Sequence, residues 1–363
     1  MVHKVSSALA LSLASISLAQ LSPEQLSVET IPELNEGWFF VISAEDLYSK
    51  AYLINPVEQA VVGMVDLGYG GNLLVNRSSS TVVGVDTFWS RGARGTRTDA
   101  LTIYDGHTLA PQKEIELPPG RFLTVGMDHA AGLNSNGTQV YSFSMTPQTS
   151  VQVAELSSGG VQEIPLPGCY LVLPAGENRF GSLCSDGSLL LVDLAKNRTL
   201  RSHPFFDPEQ DPVFDHAAWD PITGRGLLIS YAGVAYPIDL SQTPPKIGKP
   251  WSLIGEDPAW RPGGWQLAAF EPASGKLYVL MHEGGNWSHT QAGSEVWVFD
   301  TQSQTRSTRI ALESPGFSLA ASPAHLVVTS DEEAELQIYG ANGEHVANME
   351  ELGSWPFLLV PVR

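Results

Sequence analysis

The chain has 363 residues, enough for one large closed domain, and no Ser/Gly-rich or charged linker divides it. Its 39 acidic residues against 20 basic ones give a formal charge of −19. That field disfavours nucleic acid and anionic membrane surfaces, which need clustered Lys and Arg, but it names no partner.

Residues 1–19 read as a secretory signal peptide, with a cationic start at Lys4, an apolar stretch from Ala8 to Leu18, and small residues Ser17 and Ala19 before a polar segment. Cleavage is predicted after Ala19. A membrane anchor or buried helix is the alternative, but the stretch is short for a span and no other long apolar run follows, so the mature chain is expected to be soluble and exported. A short N-terminal arm, residues 20–36, precedes the first predicted strand, GWFFVIS from Gly37.

From there a phrase of short β-forming runs around a polar turn returns seven times. Its marker positions are Asn55, Asp105, Glu155, Asp193, Asp239, Asp300 and Gly340, spaced 38 to 61 residues apart. Repeats of that length made of short strands predict an all-β, seven-bladed β-propeller of four-stranded antiparallel blades over residues 37–363. Six small-residue segments read as strands nearest the axis: GGNLLV, HAAGL, CYLVLP, HAAWD, WQLAAF and FSLAAS. The seventh, PFLLVPV from Pro356, stands at the far end, so pairing of the N- and C-terminal strands is predicted to close the ring.

Cys169 and Cys184 are the only cysteines, fifteen residues apart. In an exported chain a pair separated by one hairpin reads as a disulfide; two free thiols or half of a metal site are the alternatives, and no histidine lies close enough in sequence to complete a zinc pattern. The widest repeat carries PAWRPGGWQ, in which Trp260, Arg261 and Trp265 are a candidate partner interface or a tryptophan-rich plug between blades. His203, His216, His282 and His289 lack metal-motif spacing, so no metal is expected. Asp207, Glu209, Asp211 and Asp215 lack a Gly-centred calcium loop and read as a solvated turn. No GxSxG elbow supports hydrolase chemistry, and the sequons at Asn76, Asn136, Asn197 and Asn286 read as accidental surface turns.

Several longer phrases are more specific. GMVDLGYGGNLLV, TFWSRGARGTRTDALTIYD, CYLVLPAGENRFGSLCSDGSL, FDPEQDPVFDHAAW and WRPGGWQLAAFEPASGKLYVL resemble, in order, the heavy (large) subunit of quinoprotein amine dehydrogenases, the methylamine and aralkylamine dehydrogenases. The resemblance implies a non-catalytic periplasmic scaffold in an α2β2 heterotetramer. A small, cysteine-dense partner subunit would carry tryptophan tryptophylquinone and the catalytic base, so no cofactor is expected in this chain despite its nine tryptophans. It further implies oxidation of primary amines to aldehyde and ammonia, with electrons passed to a blue-copper protein of the amicyanin or azurin kind. The family has Phe in the segment matching LGYGGN, lining the amine channel; this chain has Tyr69 there, which keeps an aromatic wall and adds a hydroxyl. Its N-terminal arm is shorter than the family's, which bears on tetramer strength. A propeller that merely binds a protein or ligand on one face is the reading from a different class.

Overall fold

A computed structural model of the chain describes residues 30–76, 80–121, 126–330 and 334–362. The predicted signal peptide and most of the N-terminal arm lie outside them. Among the described residues the chain is almost wholly β, the exception being a three-residue 3-10 turn, Asp128–Ala130. No helix among them is long and apolar enough to cross a membrane.

The strands form antiparallel sheets that follow one another along the chain. The first sheet joins the two ends of the sequence: Pro356–Pro361 pairs with Phe39–Ala44, followed by Ser49–Asn55 and Ala60–Leu67. Next come the sheets beginning at Asn72–Asn76, Ala131–Leu133 and Cys169–Pro174, each of four strands, and a five-stranded sheet beginning at Val213–Asp220. Each axial segment read from the sequence forms strand, and small residues there let neighbouring inner strands approach closely. A Cβ on Gly132, for instance, would fall 2.4 Å from the Pro174 ring.

The count of separate blades differs from expectation. Five sheets of four or five strands stand alone, not seven, and the remaining strands make one eight-stranded sheet from Trp260–Pro262 to His345–Met349. The cause is the 17-residue strand Thr305–Ala321. Elsewhere a turn such as Gly68–Gly71 or a proline-bearing loop breaks hydrogen bonding between an outer strand and the next inner one. Here the chain stays extended through Ser314, Pro315 and Gly316, pairing with Gly293–Asp300 through its first half and with His325–Ser330 through its second.

Buried Leu, Val, Ile and aromatic side chains fill the spaces between sheets, with Trp297, Tyr141 and Tyr339 among the largest fully buried. Cys169 and Cys184 face each other across the pair Cys169–Pro174 and Arg179–Cys184 and are disulfide-bonded, closing the predicted hairpin.

Candidate functional site

Two places concentrate chemistry, and strand direction separates them. In a sheet that starts at the axis, the turn between its second and third strands and the connector to the next sheet share one end. The turn between its first and second strands lies at the other.

The first end is the loop face. Exposed large apolar residues gather there: Leu47 and Tyr48 in one turn, Tyr69 in a connector, Phe88 at a strand end, Trp287 in a long turn, and Trp355 before the C-terminal strand. Tyr69 is 40% exposed, while the backbone beneath it is fixed from below. Arg121, almost fully buried, donates from both terminal nitrogens to Gly70 O, at 3.0 and 2.6 Å, and from one of them to Tyr69 O at 3.2 Å. Its Nε donates to Thr87 Oγ1 at 3.3 Å. Asp99 accepts from the backbone N–H of Gly120 and Arg121 and from Arg97 at 2.9 Å. Burial raises its carboxyl, but Arg97, Thr87 and those amides outweigh that and hold it below the usual range. Asp86 accepts from Gly68 N at 2.8 Å, yet burial, only partly opposed by the Arg121 charge, pushes its pKa up to about 7. Gly68 must be glycine, because a Cβ there would lie 2.6 Å from Thr87 O.

The other end opens into an axial cavity of about 710 Å³ lined by innermost strands. Ile222, Ser135 and Asn35 stand at its mouth. Near the axis a row of rings packs together: Trp265 on Phe317 at 6.1 Å, Phe317 against Trp355 at 6.2 Å, and Trp355 on Phe357 at 5.5 Å. Trp265 Nε1 also donates to Gly126 O at 2.8 Å, tying together segments 139 residues apart. Trp260 packs on Trp297 at 5.3 Å with the Arg309 guanidinium 4.5 Å over its face. Arg261 donates to Pro258 O, Trp260 O and Asn286 Oδ1. All three are half-buried and structurally engaged, Trp260 and Arg261 within the strand Trp260–Pro262.

Side chains of innermost strands stitch neighbours together by donating to carbonyls that no strand partner reaches: Asn72 to Met127 O, His129 to Ala217 O, His216 to Ala268 O, and Ser318 to Phe357 O. Gln266 bonds both N–H and C=O of Leu359, at 2.8 Å each. Asp128 lies among them, its Oδ2 3.3 Å from His216 Nδ1 and 3.7 Å from His129 Nε2, and the two imidazoles stack at 5.5 Å. Burial depresses the His129 pKa, against the pull of the Asp128 charge.

Sequence reasoning placed HAAGL and HAAWD on the axis but gave their histidines no role. The signal was present: Asp-His-Ala-Ala occurs at Asp128–Ala131 and again at Asp215–Ala218. Close spacing does not reveal this cluster, because residues 88 apart meet where the sheets converge. The other named histidines stay apart. His282 bonds locally to Glu283 O and faces Ser288 Oγ, and His289 stacks on Tyr231 at 3.8 Å. Asp207 caps a turn through Glu209 N and Gln210 N, and Asp211 accepts from Ala232 N, as expected of turn residues.

Architecture of this kind is found in solved structures of low sequence similarity. The Swd1 β-propeller domain from Myceliophteria thermophila superposes with TM-score 0.58 at 9% identity, over 88% of this chain and 98% of that one. A functionally unknown protein from Desulfotomaculum acetoxidans gives 0.59 at 13%, over 89% and 99%. The fold is that of a β-propeller. The family model for the methylamine dehydrogenase heavy chain matches residues 40–362, and the chain belongs to that family. The methylamine dehydrogenase heavy chain of Methylophilus methylotrophus is 29% identical over 86% of this chain and 79% of its own length, and that of Methylorubrum extorquens is 29% identical over 85% and 78%.

Proposed function

We propose that this chain is the non-catalytic heavy subunit of a periplasmic amine dehydrogenase. Its loop face would carry a small subunit bearing tryptophan tryptophylquinone in an α2β2 assembly that passes electrons to a blue-copper protein. The observation that carries the reading is the family match over residues 40–362. The exposed aromatic residues of the loop face support the docking surface, since their burial against a partner at about 25 cal/mol per Å² is a natural use for them. In this reading the quinone supplies the two-electron oxidant, and this chain shapes the approach to it. Arg121 fixes the peptide that presents Tyr69, and the Tyr69 ring walls the amine channel while its hydroxyl adds a polar contact.

The same reading takes the eight-stranded sheet as two blade-sized halves folded at Ser314–Gly316, within a ring shut by the strand pair at the chain ends. Two things support it: the register shift between Gly316 and Ser318, and the packing of Thr305–Ala321 between Ala268–Glu271 on one side and Pro356–Pro361 on the other.

The test is assembly and turnover. Co-expression with a methylamine dehydrogenase small subunit is expected to yield a quinone-absorbing complex that reduces dye only with amine, while this chain alone does not. Within that complex, Tyr69→Ala is expected to change the ratio of rates for short and long amines several-fold. An unchanged ratio removes Tyr69 from the channel, and a chain that never captures the small subunit sinks the whole reading.

A further inference from the structure

The Arg121 network serves the Tyr69 loop and the Trp260–Trp297–Arg309 stack is packing, which leaves one group with no role so far, the carboxylate and imidazoles that line the axial cavity. We propose that this last group, Asp128 and His216 with His129 beside them, is a binding site for a divalent transition cation of the zinc class.

The geometry begins with a tautomer. His216 Nε2 lies 2.6 Å from Ala268 O, and a carbonyl oxygen only accepts, so this nitrogen carries the hydrogen. In the neutral ring Nδ1 then bears a lone pair. It has no hydrogen-bond partner among the described residues and belongs to a side chain only 5% exposed. It faces Asp128 Oδ2 at 3.3 Å. A lone pair opposite a carboxylate oxygen is repulsive unless a cation stands between them.

A tetrahedral metal with ligands at about 2.1 Å holds its donor atoms roughly 3.4 Å apart, close to the separation seen here. The carbonyl on Nε2 is the second contact that orients a ligating histidine and raises its basicity. His129 donates through Nε2 to Ala217 O and so closes one side of the carboxylate without giving up a lone pair. His216 Nδ1 and Asp128 Oδ2 are therefore the two protein donors, within the one group of three or more potential metal-binding side chains among the described residues, whose third member, His129, only borders it. Asp128 and His216 both line the cavity, which has room for water to complete the coordination. Asp128 is 31% exposed there, and the −19 charge of the chain draws cations towards it.

The competing occupant is a proton on Nδ1, giving an imidazolium–carboxylate pair, and the experiment separates the two. The full chain, in its native complex, is stripped with chelator and titrated with Co²⁺, reading ligand-field absorption together with metal per chain by mass spectrometry, for wild type, Asp128→Asn and His216→Gln. Gln can still donate to Ala268 O, and Asp128 is partly exposed, so both variants keep the stitching intact; equal melting midpoints confirm it. Expected are one additional Co²⁺ per heavy chain in wild type, with visible bands of tetrahedral intensity displaced by Zn²⁺, and at least tenfold weaker binding in each variant. Binding equal in wild type and variants overturns the proposal. So does a wild-type His216 whose ring NMR signals show both nitrogens protonated at neutral pH in the presence of saturating Zn²⁺.

Discussion

The loop face and the axial cavity are built on opposite principles. At the loop face, aromatic residues are exposed and the buried charge beneath them, Arg121, points its hydrogen bonds outward to hold Gly70 and Tyr69. Further in along the axis Trp265, Phe317 and Phe357 stack with the half-exposed Trp355, and beyond that stack the polar groups Asp128, His129, His216 and Gln266 line a cavity. The contrast separates two uses of one scaffold. A face of exposed rings gains free energy only when something covers it, whereas a cavity of converging polar atoms is already organised before anything arrives.

The largest effect that tests this comparison comes from the seam both ends share. Removing residues 356–363 deletes the strand Pro356–Pro361, with buried Phe357, Leu358 and Leu359, and strips Gln266 and Ser318 of their partners. At roughly 2 kcal/mol for each buried side chain, the loss approaches the stability of an ordinary domain. Loss of cooperative thermal unfolding is expected, and an unchanged melting midpoint would show that the two ends do not depend on a common seam.

Arg121→Ala acts on the loop face alone. It removes the hydrogen bonds to Gly70, Tyr69 and Thr87 and leaves Asp86 buried without its nearest cation, while Asp99 keeps Arg97, with an expected cost of about 3–5 kcal/mol in denaturant unfolding and a mobile Tyr69 loop. A cost under about 1 kcal/mol would mean that the loop face is not held from beneath.

A pH series sharpens the comparison further, because the two ends titrate with opposite sign. Burial raises Asp86 from 3.8 to about 7, so the folded chain keeps a proton that the unfolded chain has released. The stability from this group is full below about pH 4 and declines as pH rises towards 7. His129 is lowered, mainly by burial, so its contribution is full above the unfolded value of 6.5 and declines as pH falls below it. Asp86→Asn is expected to remove a slope of up to about 1.4 kcal/mol per pH unit between pH 4 and 7. An identical slope in wild type and variant contradicts a buried protonated carboxyl. The smallest effect is that of Tyr69→Phe, which removes only a hydroxyl at an exposed position and is expected to shift stability by no more than about 0.5 kcal/mol while changing amine preference in the assembled enzyme.

What the sequence determined by itself was local. Alternating apolar residues, turn glycines and the repeating strand phrase specified sheets beginning at Asn72, Ala131, Cys169 and Val213, and the fifteen-residue spacing specified a hairpin that a disulfide closes. These are legible because a strand's face and a turn's backbone depend on neighbours two to four residues away. The tertiary structure alone decided the rest. That Thr305–Ala321 runs unbroken between two hydrogen-bonded partners, that Trp265 reaches Gly126, and that Asp128 meets His216 all follow from sheets converging on one axis. Convergence brings together residues tens of positions apart, and no short-range pattern encodes it.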